Sequence, residues 1–393
     1  MPWRRRSYTS GPLTRALTIA DLRARARRAV PHFVFEYLEG GAEDERTLAA
    51  NRAAFEHWQL VPRTLIDASG RHTRRVLFGR DRPTPLIVAP TGLNGMLRPE
   101  GDVALARAAA AHGIPFTLST FSTSPLTQVR AAGGTLWWQL YLMKERGIAR
   151  ELIARADAAG CEALVFTTDA NIFGSREWDR RNYRAPGRPN WRARLDTLRH
   201  PRWLAGVARH GVPRFCNLAD LLPPAAVSAV GASLVIPELL DPSISWHDLE
   251  WLRAAWRGKL LVKGVLAASD ARRALEAGCD GIVLSNHGGR QLDGCVAPLE
   301  VLPEVVTAVG GRLTLVIDGG FRRGSDVIKA LALGADAVML GRAVLYGLAA
   351  GAEAGANRAL QILITEIERV LGQLGCTSLD ELGPAFVRRV PPC

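Results

Sequence analysis

Eight short β-rich runs recur between residues 85 and 342, separated by Ala-, Arg- and Leu-rich stretches of helical pattern. They are PLIVAP (85–90), IPFTLST (114–120), TLWWQLY (135–141), ALVFTTD (163–169), LLVKG (260–264), GIVLSNH (281–287), TLVIDGG (314–320) and AVMLGR (337–342). Strands alternating with helices build βαβ units around a parallel sheet. Eight such units over roughly 260 residues predict a closed (β/α)8 TIM barrel in the α/β class; an open doubly wound sheet is the competing arrangement and matches that size less well. With 393 residues and 48% hydrophobic content, the chain can bury a core this large.

Each run starts apolar and ends on a residue able to hydrogen-bond or carry charge. In a barrel these C-terminal ends converge on one mouth, where barrel enzymes carry their active sites. The mouth is therefore expected to hold Thr91, Ser119, Gln139, Tyr141, Asp169, Lys263, His287, Asp318 and Arg342.

Two segments lie outside the repeat. Residues 1–84 read as a helical flank, with ALTIADLRARARRAV and a candidate cap at Asp44 ahead of ERTLAANRAAFEHW. Residues 170–247 interrupt the rhythm between the fourth and fifth strands, and a connection that long is usually functional or mobile. The barrel domain is accordingly expected over 85–393, with 170–247 inserted in it.

After the seventh run comes DGGFRRGSD (318–326), and after the eighth GRA (341–343). Gly320 and Gly341 let backbone amides approach an anion, a helix N-terminus adds its dipole, and Arg322 and Arg342 add charge. A phosphate there could belong to FMN, to pyridoxal phosphate or to a substrate. Lys263 suits either a Schiff base or a charge beside a reduced flavin. The polar residues Thr91, Ser119, Gln139 and Thr167 suit the many polar edges of an isoalloxazine better than the small pyridoxal ring, which puts flavin ahead.

SNHGGRQLD (285–293) sets His287 and Arg290 just past the sixth strand. Histidine takes a proton near neutrality, and an arginine fork holds a carboxylate through two parallel hydrogen bonds. Gly288 and Gly289 free the backbone beside this histidine. Asp169 is placed to orient His287, its plainer alternative being a helix cap. Arg176 reads equally as a second carboxylate clamp or as one more arginine of a basic loop, and Tyr141 as a hydroxyl-binding group or a rim aromatic.

Together these motifs resemble the FMN-dependent 2-hydroxy acid oxidase/dehydrogenase family from about residue 18 to about 385, in the order FEYLEGGAEDE (35–45), APTGLNG, WQLY, TTD, LVKG, SNHGGRQLD, DGGFRRGSD and GRA. The resemblance implies FMN as cofactor and an (S)-2-hydroxy acid as substrate. Tyr37 and Arg290, assisted by Arg176, would bind the substrate carboxylate; Tyr141 would meet its hydroxyl; His287 would be the base and Asp169 its partner. Lys263 would face the flavin, and Thr91, Gly92, Ser119, Gln139, Thr167, Ser285, Asp318, Gly320, Arg322, Gly341 and Arg342 would line the cofactor site. His287 would take either the hydroxyl proton, with a hydride passing to the flavin, or the α-proton. No metal is implied, and a homotetramer is.

The likeness is nearest the branch of (S)-mandelate and bacterial L-lactate dehydrogenases, through PTGLNG, the GxRExD pattern at 174–179 and FRRGSD…GRAxLYGLAA (321–350). Gly92 stands where oxidases of the family carry alanine, which favours a quinone-type acceptor over oxygen. Phe121, Asn171, Ile172 and Phe173 depart from the family pattern and leave the substrate side chain open between a bulky, mandelate-like acid and lactate. The rivals are an FMN-dependent isomerase, which would not need the His287/Arg290/Arg176/Tyr141 grouping, and a non-catalytic membrane or scaffold protein.

The net charge of +12 points to an anionic partner without choosing one. Residues 176–214 hold eleven arginines, three acidic residues and Trp178, Trp191 and Trp203. Arginine with tryptophan suits an acidic membrane surface, and by resemblance the stretch 176–236 is a peripheral membrane segment; a lid or an oligomer contact competes. No motif supports nucleic-acid binding. The arginines of residues 1–10 precede no apolar run and read as a tail, while 221–237 is short and proline-interrupted for a span. Six scattered cysteines predict reduced thiols and the cytoplasmic side, with the protein peripheral on the inner face of the membrane.

Overall fold

The computed structural model describes residues 9–185, 188–222, 227 and 236–390. All eight predicted runs form strands: β1 (Leu86–Val88), β2 (Phe116–Ser119), β3 (Leu136–Leu140), β4 (Ala163–Thr167), β5 (Lys259–Val265), β6 (Gly281–Leu284), β7 (Thr314–Ile317) and β8 (Ala337–Leu340). They close in sequence order into an all-parallel barrel, with β8 pairing back onto β1 and β4 pairing β5 directly across the long insertion. The open-sheet alternative is thereby excluded.

Side chains alternate faces along a strand. The outward set, which includes Leu86, Val88, Phe116, Leu118, Leu136, Trp138, Leu164, Phe166, Ile282 and Leu284, merges with the surrounding helices into one core. The inward set forms a separate apolar filling: Ile87, Trp137, Val165, Leu261, Val283, Val316 and Met339. Two residues further along these stripes lie Gln139, Thr167, Lys263, Ser285, Asp318 and Gly341, while that of Ile87 continues with the apolar Ala89. The stripe that is apolar in the barrel's depth is thus polar at its mouth.

The lower end is closed by a hairpin of strands Arg75–Leu77 and Arg80–Arg82. Leu77 joins the inner filling and Phe78 lies 5.8 Å from the Trp137 ring. Arg82 donates to both oxygens of Glu162 at 2.8 and 2.7 Å, and the Trp137 indole N–H donates to the same carboxylate at 2.9 Å. The barrel bottom is therefore pinned by one shared anion.

The flank is helical only in its first part: α1 (Ile19–Ala29), α2 (His32–Glu39) and α3 (Arg46–Ala53). Thr18 and Asp21 start α1 with a reciprocal capping box. Beyond α3 the expectation of helix fails. Trp58–Leu60 pairs antiparallel with Val387–Arg389, and 75–82 is the plugging hairpin; prolines, glycines and isolated apolar residues there give no helical face to bury. Nor does Asp44 cap α3. The cap residue is Glu45, without a side-chain cap bond, and the first amides of α3 are taken instead by Asp293 of the SNHGGRQLD loop, Thr47 N–H at 2.7 Å and Arg46 N–H at 3.2 Å.

The insertion carries helices Glu177–Arg181, Trp191–Leu198 and Pro201–His210 and a small hairpin of Tyr183–Ala185 with Arg188–Pro189. Trp203 turns inward: its indole N–H donates to the Met96 carbonyl at 2.7 Å and its ring packs edge-on to Phe33. Trp191, Leu195 and Leu198 remain 54–66% exposed beside several arginines, with Trp178 and Leu204 also exposed. Parts of the expected membrane segment (186–187, 223–226 and 228–235) and residues 1–8 of the arginine-rich tail lie outside the described residues. No helix among the described residues is long and apolar enough to cross a membrane. The described cysteines are all free thiols.

Candidate active site

Barrel closure brings the strand ends into a continuous polar row. Ser119 Oγ donates to Gln139 Oε1 at 3.1 Å, and Gln139 Nε2 donates to Thr167 Oγ1 at 3.0 Å. On the other side of β4 and β5, Lys263 Nζ donates to Ser285 Oγ at 2.6 Å and pairs with Asp318 Oδ2 at 3.1 Å. These six side chains are buried, none more than 8% exposed. Burial works to push the Lys263 ammonium down, but Asp318 and Asp169 outweigh it and hold its pKa above the ordinary lysine value. Lys263 is a fixed cation at the barrel mouth.

Beside this row sits His287. Its Nδ1 lies 2.9 Å from Asp169 Oδ1 and its Nε2 3.4 Å from the Tyr141 hydroxyl. Burial lowers the imidazole pKa below its usual value, Asp169 opposes that, and Lys263 and Arg176 add to the lowering. The ring is therefore neutral at neutral pH and free to take a proton. For Asp169, burial favours the acid, yet His287 and Lys263 keep its carboxyl below the usual range, so it remains an anion. Burial and the Asp169 charge raise the Tyr141 phenol far above its ordinary pKa, so it stays a hydroxyl donor.

Asp169 owes its place to β5. The strand bulges between Lys263 and Val265, and Gly264 adopts φ +108°, where an added Cβ would lie 2.7 Å from Asp169 Cβ. Only glycine allows that approach.

The three residues expected to bind a carboxylate, Tyr37, Arg176 and Arg290, come together. Arg290 stacks 5.1 Å over the Tyr37 ring and donates to the Tyr37 and Gly40 carbonyls at 2.8 Å. Arg176 lies over Phe173 at 5.3 Å and within 3.5 Å of the Arg290 carbonyl. Tyr37 donates to the Gly92 carbonyl at 3.4 Å. An aromatic wall continues from there, with Phe121 stacked on Tyr141 at 5.1 Å and tilted against Phe215 at 5.3 Å. Thr91 is tied to Asn94 at the foot of this wall.

The expected phosphate end combines Gly320, Arg322, Gly341 and Arg342. Both guanidinium groups hold protein carbonyls: Arg342 donates to Leu38, Gly288 and Gly40, and Arg322 to Phe321. Burial, with Arg290 adding, pushes the Arg342 pKa down to about 10. Gly341 caps the long helix Arg342–Gln373, kinked at Gly351–Ala352, and a Cβ built on it meets nothing within 4 Å. Asp318 Oδ1 is buried without a hydrogen-bond partner among the described residues. A donor–acceptor row, a buried cation, an unpaired buried acceptor and open volume at a helix N-terminus fit a flavin mononucleotide.

Sequence reasoning missed several residues of this site. Asn51 and Asn286 form a buried reciprocal amide pair under the histidine loop, Asp293 caps α3, Phe215 extends the aromatic wall, and Tyr346 donates to Glu39 at 2.7 Å next to Arg322. Asn286, adjacent to a candidate base at a strand end, carried a local signal; the others act through contacts with no pattern along the chain.

Residues 26–389 match the family described as FMN-dependent dehydrogenase. The (S)-mandelate dehydrogenase of Pseudomonas putida is 44% identical over 377 residues, covering 94% of this chain and 93% of the relative. An L-lactate dehydrogenase of Caulobacter sp. (strain K31) is 42% identical over 377 residues, covering 94% and 97%. A crystal structure of the monotopic membrane protein (S)-mandelate dehydrogenase matches with a TM-score of 0.91 at 43% identity, covering 95% of this chain and 99% of that one.

Proposed function

Because the chain belongs to the FMN-dependent dehydrogenase family, we propose that the barrel mouth oxidises an (S)-2-hydroxy acid to its 2-oxo acid, with His287 as the base. The enzyme is a flavoprotein oxidoreductase. The observation that carries the assignment of roles is the line Asp169–His287–Tyr141, with 2.9 and 3.4 Å contacts on the two ring nitrogens, beside Arg290 and Arg176.

Arg290, Arg176 and Tyr37 bind the substrate carboxylate, and Tyr141 donates to its hydroxyl. His287, neutral and with Nε2 turned to that hydroxyl partner, accepts the proton. Asp169 then stabilises the imidazolium through Nδ1. Ser119, Gln139, Thr167, Lys263, Ser285 and Asp318, with Thr91 and Gly92, would hold the ring of the cofactor, and Gly320, Arg322, Gly341 and Arg342 would hold its phosphate. Bound FMN supplies the two-electron acceptor. The aromatic pair Phe121 and Tyr141, stacked at 5.1 Å beside His287, supports a bulky, mandelate-like substrate over lactate.

Electrons leave to a quinone-type acceptor, and the protein works as a homotetramer lying peripherally on the cytoplasmic face of the membrane. Exposed Trp178, Trp191, Leu195 and Leu198 among arginines support the membrane contact. Anaerobic mixing of the purified holoenzyme with (S)-mandelate, L-lactate and glycolate tests the reaction. Bleaching of the flavin by mandelate faster than by the other two is expected. No bleaching by any 2-hydroxy acid would remove the proposal.

A further inference from the structure

His287 has a backbone φ of +59°. A non-glycine residue stays in that left-handed region only where its surroundings over-determine it. On the N-terminal side, Ser285 Oγ accepts the His287 N–H at 3.0 Å and is itself held by Lys263. On the C-terminal side the loop is gathered by one buried amide, that of Asn286.

Every bonding position of the Asn286 side chain is used. Its Oδ1 accepts from Asn51 Nδ2 at 2.8 Å and from the Gly289 N–H at 3.2 Å. Its Nδ2 donates to Asn51 Oδ1 at 2.7 Å and to the Val296 carbonyl at 3.1 Å. The residues before and two after His287 are thus tied to one group, and that group is oriented by Asn51. Both asparagines are buried, at 2% and 5% exposure.

Asn51 is itself rigidly placed. It lies on α3, whose first turn is capped by Asp293 from beyond the same loop. At its other end Gly320 packs so closely that a Cβ there would lie 2.2 Å from the Asn51 carbonyl oxygen. Arg52, the next residue, donates to the Gly320 carbonyl and pairs with Asp326. A helix outside the eightfold repeat therefore spans the histidine loop and the Gly319–Gly320 loop.

We propose that Asn51 is a positioning residue for the reaction: through its reciprocal amide pair with Asn286 it sets the pose of His287 between Asp169 and Tyr141. The inference rests on His287 being the base. The side-chain amide of Asn51 is engaged with Asn286, so its loss is expected in the proton-transfer step and not in binding.

The test is anaerobic stopped-flow reduction of the FMN holoenzyme by (S)-mandelate, and by L-lactate if mandelate is the slower, across pH. Asn51→Leu removes both amide bonds. Asn51→Asp removes only the donor, and burial raises the introduced carboxyl's pKa into an accessible range, where the protonated acid restores donor and acceptor together. Both variants are expected to keep bound FMN, with kcat at least about tenfold down at neutral to alkaline pH, KM within about threefold, and a displaced acid limb in the kcat/KM profile. For Asn51→Asp the deficit relative to wild type should shrink as pH falls. If Asn51→Leu does not fold, Asn51→Asp decides. A kcat within about threefold of wild type, or a variant-to-wild-type ratio flat across pH, overturns the proposal. His287→Gln, run alongside, separates the two ideas: wild-type reduction rates in that variant sink the base assignment, whereas a dead His287→Gln with indifferent Asn51 variants sinks only the role of Asn51.

Discussion

Replacing Asp169 by asparagine keeps the shape of the His287 contact and removes its charge. The carboxylate lies 2.9 Å from Nδ1 and is only 13% exposed, so solvent screens it weakly. An ion pair at that distance is worth about 6 kcal/mol at an effective dielectric of about 20, an upper bound, whereas a hydrogen bond to a charged group nets about 1.5–3 kcal/mol. The amide oxygen of asparagine retains about 1 kcal/mol by accepting the Nδ1 proton. The loss on forming imidazolium therefore lies between about 0.5 and about 5 kcal/mol, and the midpoint of about 3 kcal/mol corresponds to roughly 10²-fold in rate. The pH profile gives an independent reading. Asp169 raises the His287 pKa against burial, so its removal lowers that pKa further. With the neutral ring as the proposed base, activity is lost on the acid side as pH falls through the pKa, and the acid limb must move to lower pH. Asp169→Asn should thus be slower at its plateau yet hold that plateau further into acid, read by anaerobic flavin bleaching from about pH 5 to 9. A plateau within about threefold of wild type, or an acid limb moved upward, refutes the reasoning.

Lys263→Met leaves Asp318 buried without its cation, and breaking such a pair from one side costs about 3–5 kcal/mol; the urea midpoint and the midpoint potential of bound FMN should both fall, and an unchanged potential would detach Lys263 from the flavin. Gly264→Ala forces a side chain into φ +108° and against Asp169 Cβ, so about 1–3 kcal/mol of stability and much of the reduction rate should go together in denaturation and stopped-flow measurements; a fully active, stable variant would show that Asp169 tolerates displacement. Trp191→Ser combined with Leu195→Ser and Leu198→Ser removes exposed apolar surface without touching any residue proposed for the reaction. Sedimentation with vesicles of acidic phospholipid should drop severalfold while flavin reduction in solution is retained, and undiminished binding would move the membrane contact elsewhere.

The barrel was legible because its period is local. A run such as TLWWQLY declares an apolar inward residue at Trp137 and a polar one at Gln139 two positions on, and the same step reads Leu261 to Lys263 and Val316 to Asp318. Strand ends therefore announce themselves, and with them Asp169 and His287. The plugging hairpin at 75–82 was not legible, because three-residue strands carry no period and their value lies in meeting Trp137 and Glu162. The same holds for α3. Asp44 is the cap that sequence adjacency predicts, but the carboxylate that serves the helix is Asp293, brought there only by the closed barrel. Arg342 shows a further limit: its charge was visible, yet its three carbonyl partners on α2, its C-cap and the histidine loop make it a fastener of backbone as much as an anion site.

The two kinds of residue divide the work of the site. Charge and proton chemistry come from strand ends, where a one-residue change in register would exchange the polar stripe for the outer apolar one. Pose comes from the segment 37–53, which reaches the mouth from outside the repeat and contacts loops of three different strands: Arg290 through Tyr37 and Gly40, Arg342 through Leu38 and Gly40, and Asn286 and Gly320 through Asn51. A rigid barrel fixes where each loop begins but not how its third residue points, and His287 in a left-handed conformation is the residue for which that difference matters most. Substitutions at the exposed positions of 37–53 should consequently alter turnover, if at all, through geometry alone, while those at the buried Thr47 and Asn51, like those in the inward stripe of the barrel, should cost stability as well.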